Sequence, residues 1–212
     1  MEAISNFDNS LSEIDVLVDY AKRNIKDVGK YQMFIKSSIV LLMTKFEVFI
    51  ENFFDEHSER ARKGHTSISY PQDLKAQLSN NAANLILNEK KYNKKKKIIE
   101  ELIVLFSSTP ESLKDIKIIK PDSKFNYGKH GQKEIERLFI LNGLKPFIES
   151  QEIQLILDDI NSCINIRNNI IHQDAAPSIT HLDVMRYRNA IAMFKSKLEA
   201  EIETNKNIYY NE

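Results

Sequence analysis

The segment of residues 31–61 carries two apolar stripes at helical spacing, and this pattern constrains the fold more than any other feature of the sequence. Its apolar residues recur every three or four positions, as one face of an α-helix requires. A helix that is apolar on two faces must be covered on both sides, so we expect it at the centre of a helical bundle. One stripe contains Ile35, Ile39, Leu42, Phe46, Phe49 and Phe53, and the other contains Val40, Met43, Glu47, Ile50 and Phe54.

Glu47 interrupts the second stripe with a carboxylate, and the sequence leaves two interpretations open. It could pair with a lysine at the edge of the bundle. Alternatively, it is the inward-facing partner of Arg167 or His172. In that position it would orient these side chains or adjust the proton affinity of the histidine. A buried carboxylate needs a partner, and Arg167 is the arginine that the sequence places on an apolar stripe.

The rest of the chain also favours helices, since it has five Gly, five Pro and no Trp among many good helix formers. We predict an all-α fold, a helical bundle with a long central helix and a C-terminal helical hairpin, in one domain of residues 1–212. The residues from 205 onward are polar, and we expect them to be frayed. The other predicted helices are 5–26, 71–87, 133–142 (ending at Gly143), 151–171 and one that follows the capping box Thr180–Asp183.

The segment 64–131 differs in character, and we interpret it as a variable, lysine-rich insertion in the domain. Six lysines lie within residues 90–97. Such a run is usually a solvated loop or helix start, but it could also hold an RNA backbone through phosphate contacts. Tyr92 is its only aromatic residue, so a base-stacking platform is not supported. Residues 98–106 are apolar and are compatible with a helix or a strand.

Composition and motifs exclude several classes of function. Thirty basic and thirty acidic residues cancel, so net charge indicates neither nucleic acid nor membrane. The single cysteine, Cys163, cannot form an internal disulfide and fits a reducing compartment. The sequence shows no signal peptide and no bilayer-spanning stretch, so we expect a cytoplasmic protein without membrane contact. It also contains no phosphate-binding glycine loop and no metal-ligand spacing, and we predict no cofactor or metal.

The residues that best fit chemistry lie at the end of the predicted helix 151–171. Its apolar face continues through Ile160 and Ile164 to Arg167. An arginine there must extend to solvent, pair with a carboxylate, or face a cleft or subunit interface. Asn168 and His172 follow, and histidine is the side chain whose charge changes nearest neutral pH. The motif therefore combines an anion-binding group, an amide and a proton-transfer group.

The spacing of this motif constrains how its members can meet. On a regular helix, Arg167 and His172 are separated by about 140° and roughly 7.5 Å of rise, whereas Asn168 and His172 share a face. Arg167 and His172 of one chain would meet only if the helix frays near Ile170 or the long arginine bridges the gap. A two-fold dimer is another route, since it can place two motifs across one cleft.

Arg167-Asn168-x-x-x-His172, with a last helix after it, resembles the R-x4-6-H signature of the HEPN superfamily. It is similar in particular to the prokaryotic branch of small helical ribonucleases found in toxin–antitoxin and phage-defence systems. Residues 38–50 resemble that branch's early helix with an aromatic-Glu pair. Phe125-Asn126-Tyr127, followed by residues 134–143, resembles its Asn-containing loop and next helix.

The resemblance implies an RNA substrate and a homodimer with a composite active site, with an antitoxin or defence-system protein as a possible partner. We expect a metal-independent endoribonuclease in which His172 is the general base or acid and Arg167 binds the phosphate. Asn168 would position the histidine or the RNA, Asn169 could replace it if the helix rotates, and Glu47 would support the site. The alternative is a non-catalytic HEPN-like module that binds RNA, a nucleotide or a protein in a two-component system.

Overall fold

The structure is a computed structural model, and it describes residues 1–126, 131–173 and 178–211. Within these residues the regular elements are all α-helices, which confirms the predicted all-α class. None of the helices in this part of the chain is both long enough and apolar enough to cross a bilayer. The helices are Glu2–Arg23 (α1), Val28–Gly64 (α2), Gln72–Asn88 (α3), Tyr92–Leu105 (α4), Gln132–Leu141 (α5), Lys145–Ile148 (α6), Gln151–Gln173 (α7), His181–Thr204 (α8) and Lys206–Tyr210 (α9).

The double-striped segment forms the 37-residue helix α2, which packs against α1, α7, α8 and α9. It begins three residues before its predicted start, because the side chain of Asp27 accepts a hydrogen bond from the Lys30 N–H and caps the helix. All six residues of the first stripe are buried, as are Met43, Ile50 and Phe54 of the second. The buried residues of both stripes are therefore covered by other helices, as a central position requires.

The helices α7 and α8 form the predicted C-terminal hairpin and pack against each other. The Asp183 carboxylate accepts hydrogen bonds of 2.8 Å from both the backbone N–H and the hydroxyl of Thr180. These contacts satisfy groups at the start of α8 that would otherwise lack partners. The same bonds to Thr180 lower the pKa of Asp183.

The segment 64–131 contains α3 and α4, and residues 98–106, for which the sequence allowed a helix or a strand, belong mainly to α4. Lys94–Lys97 therefore lie in the first two turns of a helix. Ile98 and Leu105 are buried on the side of α4 that faces α3. That this segment is a variable insertion in a single domain stays a prediction.

The prediction of a frayed C-terminal tail was wrong. Residues 206–210 form α9, and the side chain of Tyr210 is fully buried. Its hydroxyl lies 2.8 Å from Nδ1 of His57 on α2, and the guanidinium of Arg60 lies 4.4 Å from the centre of its ring. A buried aromatic side chain and its hydrogen bond offset the entropy cost of ordering five terminal residues.

We predict that Gly64→Ala displaces α9. A Cβ atom at position 64 would lie 1.7 Å from the carbonyl oxygen of Tyr210, so the two backbones could not keep their present contact. Asn211, which donates a hydrogen bond to the Gly64 carbonyl oxygen, would lose that partner. We expect a loss of about 1–3 kcal/mol in the free energy of unfolding, measured by urea denaturation, and faster amide exchange in residues 206–211.

Gly131→Ala is the matched control, because no atom of the described residues lies within 4 Å of a Cβ atom there. Gly131 is the N-cap of α5, where alanine is less favourable than glycine, so a loss of up to about 1 kcal/mol is expected, but amide exchange in residues 206–211 should not change. Equal effects of the two substitutions would contradict the close approach of α9 to Gly64.

We also predict that His57 makes the protein less stable as pH falls. Burial lowers the pKa of His57 from 6.5 to about 4, although its hydrogen bond to the Asn142 carbonyl opposes this shift. Between these two values the unfolded chain takes up a proton that the folded chain does not. The free energy of unfolding should therefore fall by up to about 3 kcal/mol as pH decreases through this window.

The measurement is urea denaturation at several pH values between 7 and 4. In a His57→Gln variant the slope of the free energy of unfolding against pH should be smaller by the contribution of about one proton, whatever the stability of the variant at pH 7. An unchanged slope would contradict the buried, neutral state of His57.

Candidate active site

Arg167 lies on the buried face of α7 and is directed towards α2. Its side chain is only 14% exposed, and its Nη2 atom lies 3.5 Å from Oε2 of Glu47, whose side chain is 15% exposed. Glu47 is therefore an ion-pair partner of Arg167, which is one of the two interpretations that the sequence left open. A charge buried to this degree needs such a partner.

Asn168 contributes to the same contact. Its Oδ1 atom accepts a hydrogen bond of 3.0 Å from Nη1 of Arg167. The Nε atom of Arg167 is buried and has no acceptor among the residues that the structure describes. Glu47 and Asn168 therefore hold the guanidinium on two sides and leave part of its hydrogen-bonding capacity unused.

His172 lies in different surroundings. It is exposed, and within the described part of the chain it makes no hydrogen bond or ion pair. The helix α7 continues to Gln173, so it does not fray near Ile170, and the motif keeps regular helical geometry. Five residues along such a helix place Arg167 and His172 about 140° apart. Within one chain the guanidinium is turned to Glu47 and the imidazole to solvent.

Asn169, considered as a substitute for Asn168, is exposed and lies one residue further around the helix. Asn168 is half-buried and contacts Arg167. Of the two amides, only Asn168 is therefore placed to orient the arginine.

Two more carboxylates continue the face of α2 that carries Glu47, namely Glu51 and Asp55, at four-residue spacing. Lys124 pairs with both, at 3.1 Å from Glu51 and 3.4 Å from Asp55. Burial lowers the pKa of Lys124, but the hydrogen bond to Glu51 and the two negative charges outweigh it, so the net pKa is raised. The three acids Glu47, Glu51 and Asp55 form a ladder along one face of α2, at positions i, i+4 and i+8. Sequence reasoning missed this ladder, although its spacing is visible in the sequence.

The start of the Asn-containing loop is fixed beside this ladder. The backbone N–H of Phe125 donates to Glu51, and that of Asn126 donates to Glu134 on α5. Tyr127 lies outside the described residues. Phe125 is therefore held about one helical turn along α2 from Glu47, which is the carboxylate that pairs with Arg167.

Other chemistry finds little support in the described residues. Burial raises the pKa of Cys163 to about 12, so its thiol stays protonated near neutral pH and is a poor nucleophile. No group of three or more His, Cys, Asp or Glu side chains in residues 1–126, 131–173 and 178–211 could hold a metal ion.

The all-α fold of the described residues agrees with the class of fold that a HEPN protein would have. The family model described as RiboL-PSP-HEPN matches residues 5–210, which is nearly the whole chain, and the protein belongs to this family. Comparison with curated proteins and with solved structures gave no match.

We predict that Glu47→Gln destabilises the protein, because it leaves the Arg167 guanidinium without a carboxylate in a largely buried position. A loss of about 1–3 kcal/mol in the free energy of unfolding is expected, measured by urea denaturation. A double-mutant cycle with Arg167→Gln should show that the two effects are not additive.

Glu13→Gln serves as the control, since Glu13 also pairs with a basic residue, Lys45, at 3.0 Å but is 55% exposed. Its loss should cost less than about 0.5 kcal/mol. Additive effects of the Glu47 and Arg167 substitutions would contradict the pairing.

Proposed function

We propose that the protein is a metal-independent endoribonuclease that cleaves RNA through attack of a ribose 2′-hydroxyl on the adjacent phosphate. The observation that carries this proposal is the placement of Arg167. Its guanidinium is held by Glu47 and Asn168 at the motif that ends in the exposed His172. A cation and a titratable imidazole are the groups that such a reaction needs without a metal.

In this mechanism His172 removes the proton from the 2′-hydroxyl, or donates one to the leaving oxygen. The 2′-oxygen forms a bond to phosphorus, and the bond between phosphorus and the 5′-oxygen breaks. The products are a 2′,3′-cyclic phosphate and a free 5′-hydroxyl. Arg167 stabilises the negative charge that develops on the phosphate oxygens.

We propose that two chains form one composite site, because the groups diverge within a chain. The Arg167 side chain points inwards to Glu47, whereas His172 is exposed. A two-fold axis near the end of the α7–α8 hairpin would supply the missing group from the second chain. Two exposed apolar side chains at that end, Ile171 and Leu182, are of the kind that a partner covers.

A toxin or phage-defence role for this ribonuclease, with an antitoxin or second component as partner, is supported by the resemblance to that branch of the superfamily. A different candidate is a non-catalytic module that binds RNA, a nucleotide or a protein. It is favoured by one observation: Glu47 already compensates the charge of Arg167, and only 14% of the Arg167 side chain is exposed.

We expect the purified protein to cleave RNA in the presence of EDTA, and Arg167→Ala and His172→Ala each to reduce the rate by about 10²–10⁴-fold. Cleavage should leave 2′,3′-cyclic phosphate ends, and a substrate with 2′-deoxyribose at the cleaved position should be inert. The measurement is product formation on end-labelled RNA.

The matched control for Arg167 is Arg188→Ala, which also removes a partly buried arginine from a carboxylate, here Asp15 at 2.9 Å. For His172 the control is Asn165→Ala, another exposed position on α7. Both should leave cleavage within about twofold of the unsubstituted protein.

Mixing the Arg167→Ala and His172→Ala proteins tests the composite site. Restored cleavage would mean that Arg167 of one chain works with His172 of the partner subunit. RNA binding without cleavage would favour the module, and cleavage that survives both substitutions would contradict the assigned residues.

A further inference from the structure

A row of exposed side chains runs along α4 and its C-cap, on a flank about 100° around the helix from the buried Ile98 and Leu105. We call it the outer seam, and it consists of Tyr92, Lys96, Ile99, Ile103 and Phe106. The apolar members are well exposed: Tyr92 by 77%, Ile103 by 66%, Phe106 by 53% and Ile99 by 46%. Their spacing alternates between four and three residues, as along the seam of a coiled coil.

The neighbouring side of α4 is already occupied. Ile98 and Leu105 are buried, and α4 packs there against α3. The Glu101 carboxylate also accepts hydrogen bonds of 2.8–3.0 Å from three consecutive backbone N–H groups in residues 117–119. A rotation of α4 that buried the outer seam would break these contacts, so the seam can be covered only from outside.

The seam is apolar at its centre and positive at one end. Lys94–Lys97 occupy the first two turns of α4, where the helix dipole is also positive. Two of these lysines have acidic neighbours, Glu89 at 3.5 Å from Lys94 and Glu100 at 3.8 Å from Lys96. Three of the four side chains in these two pairs are more than half exposed, so the pairs neutralise the positive end only weakly.

We propose that the outer seam binds an amphipathic helix of a different protein, lying antiparallel to α4 with acidic residues at its C-terminal end. Apolar residues of that helix at heptad spacing would cover Ile99 and Ile103. Its acidic last turn and the negative end of its dipole would lie beside Lys94–Lys97. This inference goes beyond the proposed ribonuclease and does not depend on it.

A second copy of this chain fits the seam less well. An antiparallel pair centred on Ile99 would place Lys96 opposite Ile103 of the other copy and bring the two Glu100 side chains close together. A parallel pair would set the two lysine clusters against each other. Burying a lysine against isoleucine or juxtaposing like charges disfavours both arrangements.

RNA and an anionic membrane also fit less well. RNA would contact the lysines but leave Ile99 and Ile103 uncovered, because branched aliphatic side chains offer no flat face for base stacking. A membrane-binding helix needs a wide apolar face, whereas this seam is narrow and is flanked by Glu100, which an anionic bilayer would repel.

The test uses the full-length protein and a labelled synthetic helical peptide with leucines at heptad positions and glutamates in its last two turns. Binding is measured by fluorescence anisotropy. We expect Ile103→Glu to weaken binding by at least about tenfold. Ile208→Glu is the matched control, since Ile208 is 65% exposed on α9, away from α4; it should leave binding within about twofold.

A charge exchange tests the orientation. A second peptide with lysines in place of the glutamates should bind at least about tenfold more weakly to the unsubstituted protein. The double variant Lys95→Glu and Lys96→Glu should prefer this second peptide. A peptide with its glutamates in the first two turns instead should bind less well than the original.

The proposal is overturned if the acidic peptide does not bind, or if Ile103→Glu leaves its binding unchanged. It is also overturned if sedimentation velocity shows self-association that Ile103→Glu abolishes, which would assign the seam to a second copy. Binding of single-stranded RNA or of phosphatidylglycerol vesicles that is lost in Ile103→Glu, without binding of the peptide, would assign it to those ligands instead.

Discussion

The pairing of Arg167 with Glu47 is the constraint on which the candidate site depends. A guanidinium on the buried face of α7 has to meet an acid on the helix that faces it, and Glu47 interrupts an apolar stripe of α2 at that point. Such a pair is not the most stable solution, since two well-packed apolar side chains are often as good or better. The pair therefore matters to the fold mainly through the cost of removing one partner, which would leave the other charge buried without compensation.

The position of the pair also explains how the loop at residues 122–126 relates to the site. Glu51 and Asp55 follow Glu47 along the same face of α2, and they hold Lys124 and the backbone of Phe125. One face of one helix thus fixes both the arginine of the motif and the start of the loop. Any displacement of α2 would move these parts together, and a long helix that packs against four others gives them a rigid support.

Much of the fold was predictable because its signals are local. The two stripes of α2 and the capping box at Thr180 each depend on residues within a few positions of one another. Gly143, predicted to end a helix, has a φ of 80° at the end of α5, where a residue with a Cβ atom would be strained. The tail could not be predicted in this way, because α9 is ordered by contacts between Tyr210 and His57 that are 153 residues apart.

The candidate site was predictable only in part, because some of its contacts join residues that are far apart in the sequence. The spacing of Arg167 and Ile164 placed the arginine on an apolar face, but the choice of Glu47 over other acids required the packing of α7 on α2. Whether Arg167 and His172 act together cannot be predicted from the spacing of neighbouring residues. On a helix that stays regular to Gln173, the two side chains of one chain point in different directions. In the composite site that we propose, the bond to be broken lies between two chains, so the dimer would serve the chemistry and not only the stability of the fold.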